Sequence, residues 1–142
     1  MARHSQDRAD IIQTYLYGLL GCQTMNDLAP HITRQRLLIE GYFTIPVSRK
    51  TIERYFAGIS KHLSLRVYGK PIIFSPGGEG KKENQGYDAF IPLIDSGISL
   101  YIWSNAKFFS AIVYTCKKFD NKKAIAFTKK LFKSKKVIAQ SF

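Results

Sequence analysis

The sequence predicts an α/β (α+β) two-layer sandwich, a mainly antiparallel sheet with helices on one face. Three observations carry that expectation. Two stretches with helical apolar spacing lie far apart in the chain, short runs of alternating or β-branched apolar residues surround them, and two of those runs are joined by four residues of turn chemistry. The resulting order is β-α-β-β-β-β-α-β. With 142 residues and 45% hydrophobic content, the chain is long enough to bury a core of its own.

Taken in order, residues 9–21 have a helical pattern, with Ile12, Tyr15 and Leu19 on one face and Gly21 as a C-terminal stop. The stretch Asn26 to Thr33 contains Pro30 and reads as a linker. Residues 1–33 are therefore expected to be a helical extension with its linker, and residues 34–142 the main domain. Arg36 to Ile45 forms the first strand, and Pro46 ends it. Ser48 is placed to cap a helix whose apolar stripe is Ile52, Phe56, Ile59 and Leu63, with Arg49, Arg54 and Lys61 opposite. Leu65 to Ser75 reads as a second strand interrupted at Gly69. The glycine-rich segment Gly77 to Gly86 reads as a loop, since it lacks the nucleotide-loop pattern: Ser75 stands where the first glycine belongs, and no Ser or Thr follows Lys81. Gly86 to Asp95 resumes as a strand, which Pro92 marks as an edge or irregular one.

A hairpin follows. Ile98, Leu100 and Ile102 alternate with Ser99, Tyr101 and Trp103, Ser104 to Lys107 makes the turn, and Ser110 to Cys116 is the return strand. Asp120 or Asn121 caps a last helix running to about Lys133, and Lys135 to Ser141 closes the sheet.

Composition narrows the function classes. No apolar run approaches the roughly 20 residues of a membrane span, and the polar N-terminus has no signal-peptide pattern, so a cytoplasmic protein is expected. Cys22 and Cys116 are read as free thiols. His4, His31 and His62 have no metal-ligand spacing, so no metal is expected. The net charge of +12 attracts polyanions, yet the lysines of the C-terminal third read first as a solvated helix face and its flanks.

The hairpin is where specific chemistry enters. Ser96 at its entrance, Trp103 near its tip and Cys116 at its far end resemble the small prokaryotic S-adenosylmethionine decarboxylases. The motif of that family reads roughly Glu-Ser-His-x-Ser-x-His-Thr-Trp-Pro-Glu, followed after a short strand by Phe-Thr-Cys. Aligned on Trp103 without gaps, Ser96 falls on the self-cleaving serine, Ser99 on the second serine and Cys116 on the cysteine. The likeness extends more weakly over residues 35 to 142, and Phe74-Ser75-Pro76 matches a Phe-x-Pro segment. There are departures. Asp95 stands in place of Glu, Gly97 and Tyr101 in place of the two histidines, Asn105 in place of the final Glu, and Asp88 in place of a serine that assists processing.

The resemblance implies an enzyme that makes its own electron sink, a pyruvoyl group derived from Ser96, because ordinary side chains cannot hold the electron pair left when CO₂ departs. It implies cleavage between Asp95 and Ser96 and proton return from Cys116. Phe74, Trp103 and Ile98 are implied to border the adenine, Ser99 to belong to the substrate site, and Asn105 to accept from the ribose. S-adenosylmethionine is the implied substrate, for polyamine (spermidine) biosynthesis, and at least a homodimer the implied assembly. Tyr101 is the weak point, since a phenol of pKa about 10 accepts a proton less readily near neutrality than an imidazole of about 6.5. Two further readings therefore stand beside the first: an unprocessed homologue acting as a binding or regulatory partner, and a basic nucleic-acid-binding domain.

Overall fold

The computed structural model describes residues 26–75, 80–94 and 96–142. The helix expected over residues 9–21 lies outside them, as do Cys22, Asp95 and part of the glycine-rich loop. Within the unit Ile32–Phe142 the elements are β1 (Gln35–Tyr42), α1 (Arg49–His62), β2 (Ile72–Phe74), β3 (Gly86–Leu93), β4 (Ser96–Trp103), β5 (Phe108–Thr115), α2 (Asn121–Leu131) and β6 (Val137–Ser141). They form a six-stranded sheet in the order β2-β3-β4-β5-β1-β6, with every neighbouring pair antiparallel.

Strand parity decides which side carries the helices. Leu37 and Ile39 of β1, Ile98, Leu100 and Ile102 of β4, and Phe109, Ala111 and Val113 of β5 point one way. They share one core with Ile52, Phe56 and Ile59 of α1 and Ala124 and Phe132 of the α2 segment. The opposite face of the sheet bears no helix among the described residues. The expected two-layer sandwich is the fold observed.

Helix α1 starts where Ser48 and Thr51 cap each other: Thr51 N–H donates to Ser48 Oγ at 3.4 Å and Ser48 N–H donates to Thr51 Oγ1 at 3.1 Å. Such a cap contributes about 1 kcal/mol. Tyr55 locks α1 to α2. The Thr128 hydroxyl donates to Ala124 O at 2.8 Å, so the Tyr55 phenol, 3.1 Å away, is the donor in the second bond.

Tyr55 is fully buried, and burial pushes its pKa well above the ordinary value of 10.0. The sign follows: the stability this group contributes is intact below about pH 10 and is lost above it, because the unfolded chain ionises while the folded one cannot. Tyr55→Phe is expected to cost about 1 kcal/mol at neutral pH through the lost hydrogen bond. It should also remove an alkaline decline approaching about 1.4 kcal/mol per pH unit. Urea unfolding of both forms between pH 8 and roughly pH 12 checks this.

Two strand expectations are corrected. The strand expected over Leu65 to Ser75 is only Ile72–Phe74, because Gly69 and Pro71 break the run; Val67 makes an isolated bridge to Leu93. The strand containing Pro92 lies inside the sheet, between β2 and β4. It tolerates the proline because β2 pairs only with Asp88 to Phe90. Beyond that pairing, Pro92 turns its backbone toward Tyr68, whose N–H donates to Pro92 O at 2.9 Å.

Candidate active site

The first group of side chains forms at the entrance of the hairpin. Ser96 opens β4 opposite Thr115, the last residue of β5, so antiparallel pairing brings Cys116 beside it across the strand gap. Cys116 N–H donates to Ser96 Oγ at 3.0 Å. The Cys116 thiol is exposed and unbridged, and Ser96 is half-buried. A hydroxyl bound by a backbone donor thus lies next to a residue with an accessible thiol. Asp95 lies outside the described residues.

The second group lies on the helix-free face. Ser99, Tyr101 and Trp103 alternate along β4, and register sets Phe90 opposite Ser99 and Asp88 opposite Tyr101. Ile72 and Phe74 follow opposite Phe90 and Asp88. Ile72, Phe74, Asp88, Phe90, Ser99 and Tyr101 line a shallow pocket of about 220 Å³. Aromatic contacts continue it toward the tip: Tyr101 to Trp103 at 6.4 Å between ring centroids, Trp103 to Phe108 at 5.3 Å, and Phe108 to Tyr42 at 5.6 Å. Asn105 sits in the turn, where its Nδ2 donates to Lys82 O at 3.2 Å. This bond leaves Oδ1 as the acceptor that a hydroxyl would meet.

The two groups adjoin through Phe90, whose ring lies over Gly97, but the far rings of the second are distant from Ser96. At about 3.3 Å per residue, β4 separates Ser96 from Tyr101 by about 17 Å and from Trp103 by about 23 Å. Ile98 is on neither side of the expected ligand. It shares the parity of Leu100 and Ile102 and is wholly buried in the core, so nothing bound on the helix-free face reaches it.

Sequence reasoning missed Phe90, Ile72 and the Tyr42–Phe108 pair, whose places follow from register. Phe90 explains a departure as well. A Cβ at Gly97 would lie 2.4 Å from two atoms of its ring, so the aromatic fills the space where the resembled motif has a histidine. The places of the assisting serine and of the second histidine, Asp88 and Tyr101, face each other across β3 and β4. Both departures therefore fall at one spot. Among the described residues, no three His, Cys, Asp or Glu side chains gather to hold a metal ion.

The described residues form a helical layer on an antiparallel sheet, with a serine and a cysteine joined at the mouth of its central hairpin. The crystal structure of the adenosylmethionine decarboxylase from Aquifex aeolicus VF5 has this fold, with a TM-score of 0.62 over 78% of this chain and 89% of that one, at 17% identity. The family model described as S-adenosylmethionine decarboxylase matches residues 47–142, and the chain belongs to that family. No curated protein matches the sequence. The matched segment excludes β1, although β1 lies inside the sheet, between β5 and β6.

Proposed function

We propose that this chain is a self-processing S-adenosylmethionine decarboxylase that cuts its backbone between Asp95 and Ser96 and supplies decarboxylated S-adenosylmethionine for spermidine synthesis in the cytoplasm. The observation that carries this reading is the 3.0 Å hydrogen bond from Cys116 N–H to Ser96 Oγ, which unites the two reactive residue types across 20 positions of sequence. No helix among the described residues is long and apolar enough to cross a membrane.

In the processing step, Ser96 Oγ attacks the carbonyl carbon of residue 95, the C–N bond breaks, and an ester with a free amine at position 96 results. Loss of the Ser96 α-proton expels the residue 95 carboxylate, and hydrolysis of the remaining enamine releases ammonia and leaves a ketone. A pyruvoyl group at position 96 supplies the carbonyl electron sink for decarboxylation. The residues present fit it: Ser96 heads a strand, Gly97 beside it carries no side chain, and Cys116 N–H is a donor already directed at this position. Cys116 Sγ delivers the proton to the substrate α-carbon after CO₂ leaves. Phe74, Tyr101 and Trp103 offer flat apolar surface for the adenine. Ser99 and Asn105 offer hydrogen bonds.

Tyr101 and Trp103 lie about 17 and 23 Å along β4 from Ser96, so a second chain is the way to bring such rings to it. The helix-free face exposes Tyr42, Ile72, Phe74, Phe90, Tyr101, Tyr114 and Ile138, an apolar surface that favours covering. A second copy fits best. A two-fold pairing of these faces covers both at once. Light scattering should give a dimer, and Phe90→Glu should shift it to monomer.

The test is release of labelled CO₂ from carboxyl-labelled S-adenosylmethionine by the purified protein. Release supports the reading, and its absence from fully cleaved protein contradicts the substrate. Tyr101→His restores an imidazole at the place of the family histidine and, acting on the partner's Ser96 because it lies about 17 Å along β4 from its own, is expected to speed self-cleavage by about 10²-fold, the lower range of general acid–base contributions. A time course of chain cleavage after rapid purification measures it.

The second reading, an unprocessed homologue that binds or regulates a partner, is favoured by Asp88 and Tyr101 facing each other, since both assisting groups are changed together. It predicts an intact chain that binds S-adenosylmethionine or a related polypeptide.

A further inference from the structure

In the helical layer a cleft of about 580 Å³ is lined by Ile45, Pro46, Arg54, His62, Phe127, Lys130, Leu131 and Lys133. Its size falls within the range of about 300 to 1,000 Å³ usual for small-molecule sites. Three segments build it: the strand-to-helix connection after β1, the outer face and last turn of α1, and the last turn of α2 with the residues after it. Its lining combines apolar Ile45, Pro46, Phe127 and Leu131 with cationic Arg54, Lys130 and Lys133.

No carboxylate lines the cleft, and Arg54, Lys130 and Lys133 make no ion pair among the described residues. Lysines in the last turn of a helix are ordinarily accounted for by the helix dipole. That account covers Lys130 alone, since Arg54 lies mid-helix and Lys133 beyond the helix end. Two rings complete the wall. His62 and Phe127 stand 4.5 Å apart between centroids, and His62 Nδ1–H donates to Gly58 O at 2.8 Å, which orients the imidazole. A Cβ at Gly58 would lie 2.2 Å from Phe127 Cζ and would push the ring away. The missing side chain lets the Phe127 ring lie against α1.

We infer that this cleft binds a nucleoside polyphosphate, with the base against Phe127, Ile45 and Pro46 and the phosphates held by Arg54, Lys130 and Lys133. Several cations without an ion pair among the described residues, set around one opening, match a multiply charged anion, and guanidinium recognises phosphate in bidentate fashion. The apolar part of the lining, with a ring in it, matches a planar base. This site is independent of the decarboxylase reading and shares no lining residue with the aromatic pocket.

The test uses the full chain and ATP carrying a fluorophore on the ribose, followed by anisotropy at about 0.1 M salt, where unfocused surface charge is largely screened. Arg54→Glu with Lys130→Glu is expected to weaken binding at least about tenfold. Lys118→Glu with Lys135→Glu, an equal change of charge outside the cleft, is expected to change it less than about twofold. Unlabelled ATP should displace the probe at least about tenfold better than inorganic tripolyphosphate. Equal weakening by the two pairs, or equal displacement by tripolyphosphate, would reduce the effect to bulk charge and overturn the inference. Displacement by S-adenosylmethionine would move the probe to the other site and overturn it too. A single-stranded oligonucleotide that binds far more tightly than ATP, with the same dependence on Arg54 and Lys130, would replace the free nucleotide with a nucleic-acid strand. Thermal melts of both variant pairs establish that they are folded.

Discussion

Ser96→Ala is expected to give a chain that never cleaves and never releases CO₂ from S-adenosylmethionine. The effect is all or none because the substitution deletes the only nucleophile the proposed processing uses. Its structural cost should be small. Ser96 is half-buried at the head of β4, and the Cys116 N–H that loses its acceptor belongs to an exposed residue that water can serve. Alanine keeps the strand pairing opposite Leu93 and Thr115. The variant should therefore melt within about 1 kcal/mol of the parent, the ordinary net worth of one hydrogen bond. Mass spectrometry, thermal melting and the CO₂ assay on the same preparation separate loss of chemistry from loss of fold.

Cys116→Ala should separate processing from turnover. The bond to Ser96 Oγ comes from the Cys116 backbone N–H, which alanine retains, so chain cleavage is expected to persist. The thiol is what disappears. If it returns the proton to the substrate α-carbon, turnover should fall by about 10² to 10⁴, the usual worth of a positioned general acid. Cys116→Ser places a much weaker acid at the same point and should recover little of the loss. Parallel measurement of fragment yield and CO₂ release tests the assignment: full cleavage with a severe loss of release is expected, and undiminished release would remove Cys116 from the reaction.

Local patterns made much of the fold legible. The four-three-four spacing of Ile52, Phe56, Ile59 and Leu63 defines α1, and the alternation from Ile98 to Trp103 defines β4. The Ser104 to Lys107 turn is also as expected, with Lys107 taking the positive φ of 52°. What depends on distant pairing was harder to read. The shortness of β2 depends on where the Gly69 to Pro71 break leaves the chain relative to β3. The ring of Phe90 over Gly97 depends on the β3–β4 register.

Strand parity within the candidate site was available in the sequence and decisive. An even number of steps joins Ile98 to Leu100 and Ile102, so all three face the core, while Ser99, Tyr101 and Trp103 face the open side. Motif matching alone places Ile98 beside a ligand; counting along the strand removes it. The same count gives Ser96 the core-facing parity of Ile98 and puts Trp103 at the other end of the strand. The cleft at Arg54 and Phe127 has no linear motif, because three separated segments form it.

The central claim is that Ser96 becomes part of a new chain end, and the mass of the purified protein under denaturing conditions tests it most directly. The account predicts two species, residues 1–95 and residues 96–142, the second lacking a free amino group and lighter than its sequence by the atoms lost in forming the ketone. A single uncleaved chain after prolonged incubation, intact at the bond between Asp95 and Ser96, would contradict it.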